Sequence, residues 1–304
     1  MAKIGPHVSR YHSARKNATI VDHIVAAFGE AEKQGLIPRA ASFFVMGPRD
    51  HTIHVNSSEA GELKAFVEKT GTAIVSHAAY PNLPWRGNPL AAAHIREEIR
   101  TCAASGILGH VVHLPVGPHE WVWKFLPRLY TEHPVRIYLE HVASLPKNSH
   151  YETPAKIADL FRGIKKFDPT LRKVGFCIDT SHIWACGVDI GSYEKAEQWL
   201  NDLEAISDVL PPEKIMIHLN DNRFDLGSGK DEHAALLDGA IWSKYRDSPE
   251  KSGLAAFIDY AMRNDTIVIL ERKPAEKLLG DYRTLLELQP DLGENEPSDP
   301  ERGQ

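Results

Sequence analysis

Apolar runs of strand length recur eight times along the chain, each followed by a stretch of helical periodicity. The runs cover residues 3–9, 41–47, 73–80, 110–116, 135–141, 174–179, 214–220 and 266–272. Several contain continuous apolar stretches (FFV, VVHL, IYL, IMI, IVIL) rather than alternation, as expected for strands covered on both faces of a parallel sheet. Between them, Ile20, Ile24, Val25 and Phe28 share one helical face. So do Leu90, Ile95, Ile99 and Cys102, then Ile157, Leu160, Phe161 and Ile164, and later Leu254, Phe257 and Tyr260. Ser57 and Ser192 stand where N-caps belong. Gly35, Gly71 and Gly106 stand where helices stop. Eight strand–helix units predict an α/β chain folded as one (β/α)8 TIM barrel over residues 1–289. The rival is an open doubly wound sheet, in which only strands flanking the switch point deliver functional groups. The acidic, Pro/Gly-containing stretch 290–304 is expected to be a disordered tail.

Composition narrows this little. The 304 residues are 42% hydrophobic and 25% charged, an ordinary globular balance. A formal net charge of −6 argues against a broad phosphate-coating surface but leaves room for a local groove. Three cysteines without a CxxC exclude a disulfide framework and suit a reducing compartment. Cys102, Cys177 and Cys186 are expected as small buried hydrophobes, with Cys186 the nearer to the functional residues. The N-terminus has no apolar signal region and no window reaches membrane-span length. A cytoplasmic or nuclear protein without a membrane partner is the expectation, as a monomer.

Chemistry enters at the ends of the strands. His77, His113, Glu140, Asp179, His182, His218 and Glu271 lie at or just after an apolar run, and the loop after the seventh run adds Asp231 and His233. Imidazole and carboxylate together suit zinc and neighbouring divalent metals. In a barrel all strand C-termini open on one face, so these side chains would meet there. The i,i+3 spacing of Asp179 and His182 lets a strand-end carboxylate and a loop histidine serve one site. The i,i+2 spacing of Asp231 and His233 puts both on one side of an extended segment. Any one residue alone is as well explained as a hydrogen-bonded surface group. Several carboxylates in one barrel mouth without cations would be costly.

The segments GPHVS (5–9), CIDTSH (177–182), HLND (218–221), GSGKDEH (227–233) and ILE (269–271) resemble the endonuclease IV family of apurinic/apyrimidinic endonucleases. The family's corresponding motifs read GAHVS, CIDTCH, HLND, GSxxDxH and ILE. The resemblance implies a (β/α)8 barrel with three divalent cations, zinc being expected and manganese or iron admissible. It assigns His77, His113 and Glu140 to the first cation. Glu140, Asp179, His218 and Glu271 go to the second, with Glu140 bridging. His182, Asp231 and His233 go to the third. It implies a metal-bound hydroxide as nucleophile, with Glu140 as the catalytic bridge. The implied reaction is hydrolysis of the DNA phosphodiester 5′ to abasic sites in base excision repair, with trimming of blocked 3′ ends.

By the same resemblance, Arg49 matches the groove-inserting arginine and Tyr80 the stacking tyrosine that grip double-stranded DNA. His7 and Asn220 are expected to steady the ligands from behind. Trp85 and Arg86 offer further stacking and charge at the rim. The chain departs from the family at Asp50 (for Gln), Pro81 (for Leu), the His141–Ser144 stretch and the Leu236–Gly239 stretch. An acidic Asp50 beside a phosphate backbone weakens DNA binding. Two other readings compete. A single-metal sugar isomerase or epimerase on the related xylose-isomerase-like barrel needs Glu140, Asp179, His218 and Glu271 but not the remaining five ligands. A non-catalytic binder of damaged DNA has no need of an intact ligand set.

Overall fold

The computed structural model describes residues 1–10, 12–49, 52–81, 83–272 and 278–294. Eight parallel strands form one sheet: β1 Lys3–Pro6, β2 Ala40–Phe44, β3 Ala73–His77, β4 Gly109–His113, β5 Arg136–Glu140, β6 Val174–Asp179, β7 Ile215–His218 and β8 Ile267–Leu270. Each lies within or one residue beyond a run expected from the sequence. The hydrogen-bonded order is β1-β8-β7-β6-β5-β4-β3-β2. Its two ends meet: Arg39 N–H donates to Ile4 O (2.9 Å) and Val8 N–H to Ser42 O (2.6 Å). The result is a (β/α)8 barrel, and the open-sheet alternative is excluded. Gly5 sits at this seam, where a Cβ would collide with the Ala40 carbonyl.

The barrel separates two apolar layers. Inside lie Ala40, Ala73, Val75, Val111, Tyr138, Cys177, Met216 and Ile269. Gly109 and Gly175 on the flanking strands leave room for the Tyr138 ring. Outside, the helices α1 Ile20–Glu32, α2 Ser57–Thr70, α3 Pro89–Ala104, α4 His119–Phe125, α5 Pro154–Ile164, α6 Thr180–Ala185, α7 Tyr193–Glu204, α8 Gly253–Arg263 and α9 Leu279–Leu288 bury the larger core. Each large side chain moved from water into such a layer contributes roughly 1.5–3 kcal/mol. No helix among the described residues is long and apolar enough to cross a membrane.

Local expectations hold with four corrections. Ser192 caps α7, but α2 is capped by Asn56, in a reciprocal box with Glu59, so that Ser57 is the first helical residue. Val25 and Leu90 are exposed rather than on the packed faces of their helices. His182 lies on the short α6, not in a loop, because Asp179 caps that helix by accepting the His182 N–H (3.1 Å). The stretch expected as a tail is ordered at its start: Leu292 is buried, and its carbonyl accepts the Ile37 N–H (3.1 Å). Residues 295–304, the rest of that stretch, and Asp50 lie outside the described residues.

The seam yields a test. Gly5→Ala should destabilise by about 1–3 kcal/mol, since backbone must move to admit the methyl. Gly29→Ala in α1, where a Cβ meets nothing within 4 Å, should be neutral or stabilising. Thermal unfolding of both variants checks this; equal melting points would refute the tight seam.

Candidate metal centre

A period of two residues places the site. Val75, Val111, Tyr138, Cys177, Met216 and Ile269 point into the barrel. Two residues further on, the same inner face carries His77, His113, Glu140, Asp179, His218 and Glu271. Strand register sets His113 beside Glu140 and Asp179 beside His218. The remaining three arrive from connections. His182 comes on the first turn of α6. His233 begins a two-residue ribbon, His233–Ala234, paired antiparallel with Asp221–Asn222. Asp231 precedes it.

The side chains converge in three groups. In the first, His77 Nε2 and His113 Nε2 stand 3.1 and 3.2 Å from Glu140 Oε2. In the second, His218 Nδ1 lies 3.0 Å from Glu140 Oε1 and 3.3 Å from Glu271 Oε2, and Asp179 completes a set whose ligand atoms all lie within 4.8 Å of one another. In the third, Asp231 reaches His182 Nε2 (3.2 Å) and His233 Nε2 (3.0 Å), while His233 Nε2 is 3.7 Å from Asp179 Oδ2. All nine residues expected at one rim are therefore brought together.

Their chemistry fits divalent cations. Two ligands about 2.1 Å from one ion at a tetrahedral angle lie about 3.4 Å apart, in the range of these contacts. His233 Nε2 is buried yet hydrogen-bonded to neither nearby carboxylate, as a ligand aimed at a common point would be. Two of the imidazoles carry a second contact that fixes the ring's orientation. His77 Nδ1 lies 2.8 Å from Ala78 O and His182 Nδ1 2.6 Å from His141 O, and a carbonyl only accepts. Each Nδ1 is thus a donor, so the Nε2 that faces the carboxylates is the atom that would ligate an ion once its own proton leaves.

The electrostatics tell of stored negative charge. Burial alone would raise Glu140, but the His218 and His113 imidazoles against it hold it well below the usual carboxylate range. Burial likewise opposes protonation of His182 and His218. Asp179 and Asp231 outweigh it at His182, and Cys177, Glu271 and Glu140 at His218, so both are raised well above the ordinary imidazole value. Asp179 is raised by burial, with the Glu140 and Asp231 charges adding to it. Without cations His182 and His218 must hold protons to offset these carboxylates, and ions of higher charge would displace them.

Around the ligands, Asn220 donates to Asp179 Oδ2 (2.8 Å) and accepts the Glu271 N–H (3.0 Å), tying two ligands together. His7 Nδ1 is 3.5 Å from Glu271 Oε1, and burial lowers the His7 pKa to about 4. Tyr80 is 47% exposed, its ring 5.4 Å from that of His113 and 5.5 Å from that of His77. Arg49 is exposed on the connection after β2. Both line a cavity of about 760 Å³ that opens beside the ligands and is walled in part by His7, Phe44, Asp231 and His233.

Some residues sit differently from their sequence reading. Trp85 is 1% exposed and donates to His113 O (2.6 Å), so it braces a ligand strand instead of stacking at the rim. The side chain of Arg86 lies outside the described part. Cys177, not Cys186, is the cysteine at the ligands, grouped with Glu140 and His218; its position two residues before Asp179 was the available signal. Arg272, which carried no sequence signal, forms a buried ion pair with Asp281 (3.1 Å) directly after Glu271. His119 turns away from the ligands, stacked on Tyr151 with its Nε2 3.0 Å from the carbonyl of His150.

Comparison with known proteins agrees with this geometry. Residues 39–282 match the family described as xylose isomerase-like TIM barrel. A protein of African swine fever virus (isolate Warthog/Namibia/Wart80/1980) named "Probable AP endonuclease" is 39% identical over 251 residues, covering 81% of this chain and 82% of its own. The crystal structure of AsfvAP:AG superposes with a TM-score of 0.87 at 33% identity, covering 96% of this chain and 98% of that one. Endonuclease IV from Thermus thermophilus shares the fold, with a TM-score of 0.68 at 24% identity, covering 94% and 99%. The chain is a member of the endonuclease IV-like AP endonucleases within the xylose isomerase-like TIM-barrel superfamily.

Proposed function

We propose that this chain hydrolyses the phosphodiester 5′ to abasic sites in double-stranded DNA, leaving a 3′-hydroxyl, and removes blocked 3′ ends at the same site. The carrying observation is the position of Glu140: Oε2 faces His77 and His113 while Oε1 faces His218, so one buried carboxylate spans two ligand groups. His77, His113 and Glu140 would hold one cation. Glu140, Asp179, His218 and Glu271 would hold a second, and His182, Asp231 and His233 a third, zinc being the best fit to five imidazoles and four carboxylates. Ions there would supply Lewis acidity and charge neutralisation for in-line displacement at phosphorus.

The chain's own residues do the rest. Asn220 fixes Asp179 and Glu271 relative to each other. The half-exposed Tyr80 ring stands over His77 and His113, where it can stack on a nucleotide bordering the gap. Arg49, across the same cavity, can meet the backbone. An abasic nucleotide costs least to turn out of the duplex into that cavity, which gives selectivity for damage. A sugar isomerase would leave His77, His113, His182, Asp231 and His233 without a shared task, although all five converge here.

Glu140→Gln should reduce cleavage of an abasic-site duplex by on the order of 10²–10³-fold or more while the protein stays folded. Ordinary turnover by that variant would refute the bridging role. A strong chelator should abolish cleavage by the wild type, and added zinc should restore it; chelator-resistant cleavage would rule out the metal reading. Tyr80→Ala should weaken duplex binding by about 5- to 100-fold, the worth of one stacked base. Binding measured with and without the abasic lesion checks this, and unchanged affinity would remove Tyr80 from the DNA surface.

A further inference from the structure

Behind the junction of β3 and β4, outside the barrel, four polar side chains are fully buried: Ser76, Glu98, Cys102 and His110. None belongs to the ligand groups. Glu98 lies on α3, whose remaining inward positions are apolar. Its Oε1 accepts the N–H of Ala79 (3.2 Å). The carbonyl of that same peptide group is Ala78 O, the acceptor 2.8 Å from His77 Nδ1. Its other oxygen, Oε2, faces His110 Nε2 at 3.4 Å. His110 Nδ1 in turn lies 2.7 Å from Ser76 Oγ, which is 2.9 Å from Cys102 Sγ.

We infer that Glu98 is a positioning residue for His77, acting through the Ala78–Ala79 peptide. This rests on His77 being a metal ligand. A ligating histidine commonly donates its second N–H to a carboxylate or carbonyl, which fixes ring orientation and raises basicity. Here one peptide group joins both devices. Glu98 holds the Ala79 N–H, so the Ala78 carbonyl cannot swing away from His77. That carbonyl accepts the Nδ1 hydrogen bond, which turns Nε2 toward Glu140 Oε2 at 3.1 Å, where it can exchange its proton for a cation. His110 faces Glu98 from behind at 3.4 Å, with its own ring held by Ser76, and stands on β4 three residues before His113. A carboxyl group at a fully buried helix position is costly unless bonded, and an apolar side chain would pack there without that cost. The bonds it makes lead to the peptide that orients His77. The next residue, Tyr80, donates its own N–H to Pro48 O (3.0 Å), so the whole turn after β3 is pinned.

The test measures zinc affinity by competition with a chromophoric chelator for the wild type, Glu98→Gln, Glu98→Asp and His77→Ala, with circular dichroism to verify folding. Glu98→Gln keeps the size but not the charge; Glu98→Asp keeps the charge but withdraws it from Ala79. Both should bind zinc about 10- to 100-fold more weakly at one site, the one His77→Ala removes, with the other sites unchanged. In the metal-free protein, the His77 Nδ1–H should be visible in long-range ¹H–¹⁵N correlations and exchange slowly with solvent in the wild type, and exchange faster in both Glu98 variants. A merely structural role would lower the melting temperature and leave zinc affinity and Nδ1–H exchange alone, which would overturn the inference. Should Glu98→Gln not fold, Glu98→Asp carries the test. If His77→Ala loses a site while both Glu98 variants bind as the wild type does, only the positioning role falls. If His77→Ala keeps every site, the ligand reading of His77 falls and the relay falls with it.

Discussion

Closure of parallel strands into a barrel forces every second side chain inward, and the whole site follows from that constraint. Six strands present an apolar residue to the barrel interior and, two residues later, an imidazole or carboxylate to the mouth. The layer below is apolar and buried, so the layer above meets a low dielectric on one side. Carboxylates placed there cannot rely on water for compensation. Within the described residues Glu140 is paired with His77, His113, His182 and His218 and with no lysine or arginine. Imidazole is the side chain that can give up its proton to a competing cation and then bind that cation, so the same contacts that balance charge in the bare protein become ligands.

Fixed geometry is the second requirement, and it is met by backbone groups and short polar side chains. Carbonyls of Ala78 and His141 set the ring orientations of His77 and His182. Asn220 links Asp179 to Glu271. Asp221 accepts the N–H groups of Gly239 (3.1 Å) and Ile241 (3.0 Å), and Asp281 accepts that of Leu236 (2.7 Å), so the segment after Asp231 and His233 is fastened at both ends. Burial raises the Asp221 pKa to about 7, the electrostatic cost of placing a carboxyl where it can hold that loop.

Much of this was legible in the sequence. Continuous apolar runs marked the strands because both faces are covered, and the ligands stood out because strand ends in a barrel share one face. The seven ligands at or just after strand ends could be named from position for that reason, while Asp231 and His233 came from the loop after the seventh run, whose spacing carried the family resemblance. What escaped has a common cause: it depends on contacts between segments distant in sequence. Trp85 looks like a rim aromatic until His113 O is placed beside it. Arg272 looks like a solvated charge until α9 brings Asp281. Nothing in the sequence sets Glu98 apart from Glu97 beside it, yet it is fully buried behind β3 and β4. Leu292 lies in a polar stretch that composition assigns to a tail, and a groove beside Ile37 holds it. Asn56 displaced Ser57 as the cap because the amide accepts two backbone N–H groups and Glu59 answers it.

The central claim is that one buried carboxylate joins two adjacent cation sites, with a third beside them. Anomalous diffraction from zinc-loaded crystals, collected on both sides of the zinc absorption edge, tests it most directly. The account predicts three edge-dependent peaks per chain, two of them flanking Glu140 and the third enclosed by His182, Asp231 and His233. A single peak, or peaks remote from Glu140, would contradict it.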